Sequence, residues 1–279
     1  MCSSDLIDRS GARGVYSARL HAGTLPLDRF VPVGATAAAP RREWSTAPLP
    51  VAFLRTADLD LDLVAEHLLW RGAAYDGVEL VARTTQPGVV ALSPIRAALF
   101  GGTVEANATL SVTSVPEIQA SVSVKNVDFA VAPKLAWAVV PVSGRMTGSA
   151  DLTTRGASEA ELMASLAGTG TLTATDGVLR GIALAEVGAN LDRLKDVAEV
   201  PDLLQQATAR GETPFRSIDI TARATDGVVT LDSITARAEG AGVAGGGTVD
   251  VGRRRTAIEV NVALTSHPDR KSTRLNSSH

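Results

Sequence analysis

Cysteine is all but absent. The 279 residues contain a single one, Cys2, and it falls in an opening Met-Cys-Ser-Ser-Asp-Leu that resembles translated sequencing adapter, as does the closing run from Asp269 to His279. Setting these ends aside leaves no cysteine, which excludes disulfides, thiolate metal sites and a cysteine nucleophile from the remainder. The remainder is expected to be an interior piece of a longer protein. Aromatic residues make up only 4% of the chain, so its 45% hydrophobic content rests mainly on Ala, Val and Leu, in which small and β-branched side chains favour sheets. No apolar run reaches the about 18 residues of a membrane-crossing helix. Basic runs are missing too. Without Asp5, Asp269, Arg270, Lys271 and Arg274 the net charge moves from −3 to −4, and a mildly acidic chain lacks the footprint that phosphate-backbone binding needs. Nucleic acid is not an expected partner.

What the chain does contain is alternation. Val104, Ala106, Ala108, Leu110 and Val112 share one face of a strand whose other face carries Glu105, Asn107, Thr109 and Ser111. Ile118, Ala120, Val122 and Val124 repeat the pattern, and Ile258, Val260, Val262 and Leu264 repeat it near the end. Leu59, Leu61, Leu63 and Ala65 alternate with Asp58, Asp60 and Asp62, a period of two that predicts a strand. The pentapeptide Ala-Thr-Asp-Gly-Val occurs at Ala174 to Val178 and again at Ala224 to Val228. Read locally, both copies are hairpin turns in which Asp-Gly supplies positive φ. A longer echo relates Val78 to Ile95 with Ile218 to Ile234.

The expected architecture is mainly β, an α+β chain whose repeated antiparallel hairpins form an extended curved sheet or groove. Residues 7–50 read as a strand remnant and a Pro/Ala-rich linker, 51–157 as a first β-repeat region and 213–268 as a second. Between them, residues 158–212 combine a helix, a hairpin and a helical insert. Ser158-Glu-Ala-Glu161 is a capping box opening a short helix, with Gly168 placed to end it. Leu184, Val187, Leu191, Leu194 and Ala198 place one apolar stripe on a second helix, with Pro201 ending it or starting another and Gly211 closing the unit.

Few motifs carry chemistry. Gly240-Ala-Gly242-Val-Ala-Gly245 satisfies the dinucleotide-binding spacing, but Gly246-Gly-Thr-Val-Asp-Val leads into a strand rather than the helix whose amides would meet a pyrophosphate, so a glycine-rich turn or bulge is the better reading. His21, His67 and His267 have no partner at ligand spacing. Asp58, Asp60 and Asp62 form an acidic ladder, but alternate strand residues stand about 7 Å apart, too far to share one ion, which favours a solvated face. Asn107-Ala-Thr109 matches a glycosylation acceptor in mid-strand. Neither a nucleophile elbow nor converging carboxylates occur, so no enzyme activity, catalytic residue, metal or cofactor is expected.

One further signal is the order of several short motifs. Leu27-Asp-Arg-Phe30, Val51-Ala-Phe-Leu-Arg55 with the following Asp-Leu ladder, and Leu92-Ser-Pro-Ile-Arg-Ala-Ala-Leu-Phe-Gly-Gly102 come first. Gly144-Arg-Met-Thr-Gly148, Ser165-Leu-Ala-Gly168, Asp176-Gly-Val-Leu-Arg-Gly-Ile182 and Thr213-Pro-Phe215 follow. In that order they resemble the C-terminal region of the AsmA family, large bacterial envelope proteins. The resemblance implies a β-rich body in the periplasm of a Gram-negative bacterium, anchored to the inner membrane through an N-terminal helix missing from this stretch. It also implies an apolar groove for phospholipid or another envelope lipid, a part in outer-membrane biogenesis, and contact with envelope proteins. Candidate lipid-contact residues are Leu110, Val112, Ile118, Val122, Val124, Ile258, Val260 and Val262. A structural β-repeat scaffold, or an adhesin-like module that binds protein and no lipid, is the alternative. Apart from either reading, the pattern also fits apolar faces that meet each other in an ordinary β-sandwich core.

Overall fold

The computed structural model describes residues 3–8, 13–27, 44–70, 73–129, 143–180, 211–238, 241–264 and 273–278. Fourteen strands follow one another: β1 (Ser3–Asp8), β2 (Gly14–Pro26), β3 (Ala57–Trp70), β4 (Ala73–Gln86), β5 (Val89–Leu99), β6 (Gly102–Ser111) and β7 (Glu117–Asp128). The series continues with β8 (Arg145–Arg155), β9 (Ala167–Arg180), β10 (Glu212–Thr225), β11 (Val228–Ala238), β12 (Ala241–Asp250), β13 (Arg255–Leu264) and β14 (Thr273–Ser278). Their order in space is their order in sequence, in one open sheet. The body is the twelve strands β2 to β13, and short β1 and β14 pair onto its two edges. The mainly β, extended-sheet expectation therefore holds.

One connection departs from the hairpin plan. β2 and β3 run parallel, from Gly14 beside Ala57 to Pro26 beside Leu69, so both strands begin at the same end of the sheet and a tight hairpin cannot join them. All other neighbours are antiparallel. Five of those pairs within the body, β4/β5, β5/β6, β7/β8, β10/β11 and β11/β12, skip residues in register. Such bulges bend strands and raise local twist.

The two Ala-Thr-Asp-Gly-Val copies behave differently. Asp226 and Gly227 hold φ of 48° and 74° and form the two-residue turn between β10 and β11, the pattern of a hairpin whose central residues both need positive φ. Asp176 has a similar φ of 51° but lies within β9, which runs on to Arg180. The hairpin reading of the first copy is therefore corrected. Gly177 pairs with Phe215 and Thr175 with Ser217 in one unbroken register, so Asp176 stands opposite Arg216, which is itself the extra residue of a bulge toward β11. Continued pairing with β10 overrides the local turn preference. A Cβ at Gly177 would collide with the Ser143 carbonyl and the Phe215 ring, so the glycine answers to close packing here.

The helix α1 spans only Glu159–Ala164. Ser158 Oγ accepts from Glu161 N–H, as the capping box requires, whereas the reciprocal carboxylate of Glu161 accepts from Ala157 N–H rather than from Ser158. Gly168 does not end it. The helix stops at Ser165, and Gly168 lies in β9, two residues into the strand. The helical stripe from Leu184 to Ala198 and its continuation from Pro201 lie outside the described residues.

Candidate functional site

Directly paired residues on neighbouring strands point to the same side of a sheet, so register alone tracks a face across the molecule. Leu20 stands beside Leu63, Leu63 beside Leu80, Leu80 beside Ile95, and Ile95 beside Ala106. Ala106 pairs with Val122, and the row goes on through Ala150, Gly170 and Ala222 to Leu231, Gly247 and Ile258. Each of the twelve strands of the body contributes one residue, and none is polar. Eleven interstrand steps at about 4.8 Å make a track about 50 Å long. A second row runs from Val124 through Gly148, Leu172, Ile220, Ile234 and Gly245 to Val260.

These rows unite the candidate contact residues, which the sequence alone could not place on a common face. Val122 shares a row with Ile258 and Val124 shares one with Val260. Leu110 pairs with Ile118 and lies on the same side, as does Val262 two residues beyond Val260. Leu110, Ile118, Val122, Val124, Ile258, Val260 and Val262 are all half-buried. Half-burial is the decisive observation, because a sandwich core would bury these side chains. Among the described residues, no second sheet lies over them. Val112 differs: it is 1% exposed and packed with Leu54, Ala82 and Val90, so it belongs to a closed corner of the face.

That corner is made by a strap. Residues 44–50 lead into a 3-10 turn, Ala52–Arg55, whose Leu54 inserts over Ala82, Val90 and Val112, with Val51, Leu59, Leu61, Leu92 and Leu110 around it. Arg55 fixes the turn from below, donating to the carbonyls of Val112 at 2.8 Å and Ser114 at 2.6 Å. On the same edge α1 buries Leu162 against the end of β8, with Thr154 Oγ1 donating to the Leu162 carbonyl. Sequence reading treated Val51 to Arg55 as a motif but not as a plug, because nothing in its spacing reveals what it covers.

The opposite face is polar and self-satisfied. Arg83 pairs with Asp60 and, at 2.9 Å, with Asp62; Arg19 reaches Asp62 at 3.4 Å and Arg13 reaches Asp58 at 3.0 Å. The acidic ladder is thus answered by arginines, which fits the solvated-face reading over an ion site. His67 Nδ1 lies 2.7 Å from Asp76, both exposed, His21 is exposed on β2, and His267 lies outside the described residues. Asn107 and Thr109 are exposed on β6, with Ser93 Oγ donating to Asn107 Oδ1. Gly242 and Gly245 sit inside β12, paired with Ala263 and Val260, so the glycine run is sheet and opens no helix. Among the described residues no group of acidic, histidine or cysteine side chains could hold a metal ion, and no helix is long and apolar enough to cross a membrane.

A single open sheet with an uncharged row running across all twelve strands of its body defines a class of protein built around an extended apolar surface. The family model of the AsmA family matches residues 33–234, and the chain belongs to that family. No curated protein and no solved structure matches it.

Proposed function

We propose that this chain is a non-enzymatic, periplasmic part of an inner-membrane-anchored envelope protein, and that its apolar face carries the acyl chains of phospholipid or a related envelope lipid between membranes during outer-membrane biogenesis. The observation that supports this most is the unbroken uncharged row from Leu20 to Ile258, half-buried at every position but Leu63 and without a second sheet over it among the described residues. Membership of the AsmA family is consistent with envelope lipid transport or biogenesis. The magnitudes agree with it. Each acyl methylene removed from water contributes about 0.8 kcal/mol, so shielding half a dozen offers roughly 5 kcal/mol before ordering costs. The track is also longer than the about 30 Å hydrocarbon core of a bilayer, so more than one chain fits along it.

The test is extraction. The chain is purified from an envelope fraction and its organic extract examined by mass spectrometry, with and without passage over vesicles of phosphatidylethanolamine and phosphatidylglycerol. Co-purifying phospholipid in stoichiometric amount is the expected result. Absence of lipid, together with a protein partner that protects the same face from hydrogen exchange, would replace the reading with the protein-binding scaffold.

A further inference from the structure

The strap described above extends further than the plug at Leu54. At its start, Trp44 donates its indole N–H to the Val251 carbonyl at 2.8 Å, in the turn between β12 and β13, and the Arg254 guanidinium lies 4.3 Å over the indole ring. Ser45 then accepts from Ala160 N–H and Leu49 donates to the Ala157 carbonyl, which fastens the strap to the start of α1. A bridge between Pro48 and Ser158 lies between those two contacts. The strap next crosses the β6–β7 turn through Arg55 and enters β3 at Ala57. It therefore runs along one long edge of the sheet, touching strand ends from β12 back to β3.

Its length is short for that task. Nine interstrand steps from β3 to β12 would span about 43 Å if the edge were flat. From Trp44 to Ala57 the chain reaches about 39 Å, with four residues rising about 2.0 Å each in the 3-10 turn and the others at most about 3.4 Å. The reach of the indole would only just make up the difference for a taut strap. The strap is not taut, because Val51 N–H turns back onto the Leu49 carbonyl. The strand ends it joins must lie closer together than in a flat array.

We infer that residues 44–56 are a tether that draws in and closes one long edge of the apolar face, so that lipid enters along the opposite edge and keeps its headgroup there. The tether itself stands on geometry; the statement about entry rests on the lipid-carrying reading. Other features of the chain add to it. Leu54 and Leu162 seal the tethered edge with apolar side chains, and the hydrogen-bonding capacity of the strap is turned inward, onto the carbonyls of Val251, Ala157 and Val112 and the amide of Ala160.

Two measurements separate the parts. In the full chain with Cys2→Ser, spin labels at Thr85→Cys and Thr225→Cys, both exposed near that edge, report its span by pulsed electron resonance in the absence of lipid. Trp44→Ala, and independently a four-residue Gly-Ser insertion between Thr46 and Ala47, are expected to shift the distance upward by about 5 Å or more, given that four residues add up to about 13 Å of reach. An unchanged distribution in the insertion variant would overturn the tether. For entry, fluorophores at Thr103→Cys and Thr113→Cys mark opposite edges beside the two ends of β6. With vesicles carrying nitroxide on the phospholipid headgroup, quenching is expected at position 103 and not at 113. Equal quenching, or quenching at 113 alone, would overturn the single entry edge. Quenching at neither position, with distances that still respond, would sink the lipid reading and leave the tether standing.

Discussion

Leu54 of the 3-10 turn and Val112 beyond the end of β6 are packed in one cluster, 4% and 1% exposed respectively, in a molecule whose candidate lipid-contact residues are otherwise half-exposed. The pair marks where the sheet stops being an open surface and becomes a core. Leu54→Ala removes a side chain enclosed by Ala82, Val90 and Val112, and a cavity of that kind costs about 2–5 kcal/mol. Thermal unfolding is expected to show that loss. Phe53→Ala, one residue away, removes a ring that is 47% exposed and touches Tyr16 edge-on, and is expected to cost about 1 kcal/mol or less.

The two faces of β10 offer a direct comparison. Ala222 lies on the apolar row between Gly170 and Leu231, whereas Thr221 faces the other side, hydroxyl to hydroxyl with Ser233 at 2.7 Å. Ala222→Glu sets an unpaired carboxylate in the path of a bound acyl chain, at a desolvation cost above the about 1–3 kcal/mol of a neutral polar group, which corresponds to at least roughly tenfold weaker binding. Phospholipid recovered with the protein is expected to fall accordingly, while Thr221→Glu leaves it within about twofold. Equal losses from both variants would contradict the assignment of the face.

Within β12, neighbouring positions differ in the room they leave for a side chain. A Cβ at Gly245 would meet the Glu259 carbonyl and, at 2.9 Å, Val260 Cγ1. Gly245→Val is expected to destabilise by about 1–3 kcal/mol through overpacking against β13. Ala244→Val places the same side chain at an exposed strand position, and is expected to be neutral or slightly stabilising, within about 1 kcal/mol. Denaturant midpoints of the two variants decide the point.

The turn between β10 and β11 gives a further contrast. Gly227 has φ of 74°, and a Cβ there would meet the Met163 carbonyl, so Gly227→Ala is expected to cost more than about 1 kcal/mol. Asp226→Gly keeps the positive φ that this position needs and is expected to change stability by no more than about 0.5 kcal/mol. Calorimetric midpoints of the two variants test the turn assignment.

The arginine network on the polar face makes a salt-dependent contribution. Arg83 is partly exposed and holds Asp60 and Asp62 together, so Arg83→Ala is expected to cost about 1 kcal/mol at low ionic strength and less at high salt, where both the lost pairs and the remaining carboxylate repulsion are screened. A melting difference that does not shrink with salt would point to lost packing by the arginine stem instead.

Much of this architecture was legible residue by residue. Alternation at Val104 to Leu110, Ile118 to Val124 and Ile258 to Val262 fixed the strands and the apolar side of each, because a side-chain period of two has only one regular backbone that satisfies it. The weight of β-branched residues pointed to sheet and the scarcity of cysteine away from thiol chemistry, and Ser158 with Glu161 marked a helix by capping alone. Tertiary structure decided the rest. Asp176 and Asp226 sit in the same pentapeptide with nearly the same φ, yet only the second turns the chain, since pairing of β9 with β10 continues past the first. Likewise, no local signal could show that Val122 and Ile258 share a row, that Leu54 seals one corner, or that Trp44 reaches Val251. Each depends on partners far along the chain, and strand register, which carries that information, is set only when the whole sheet is assembled.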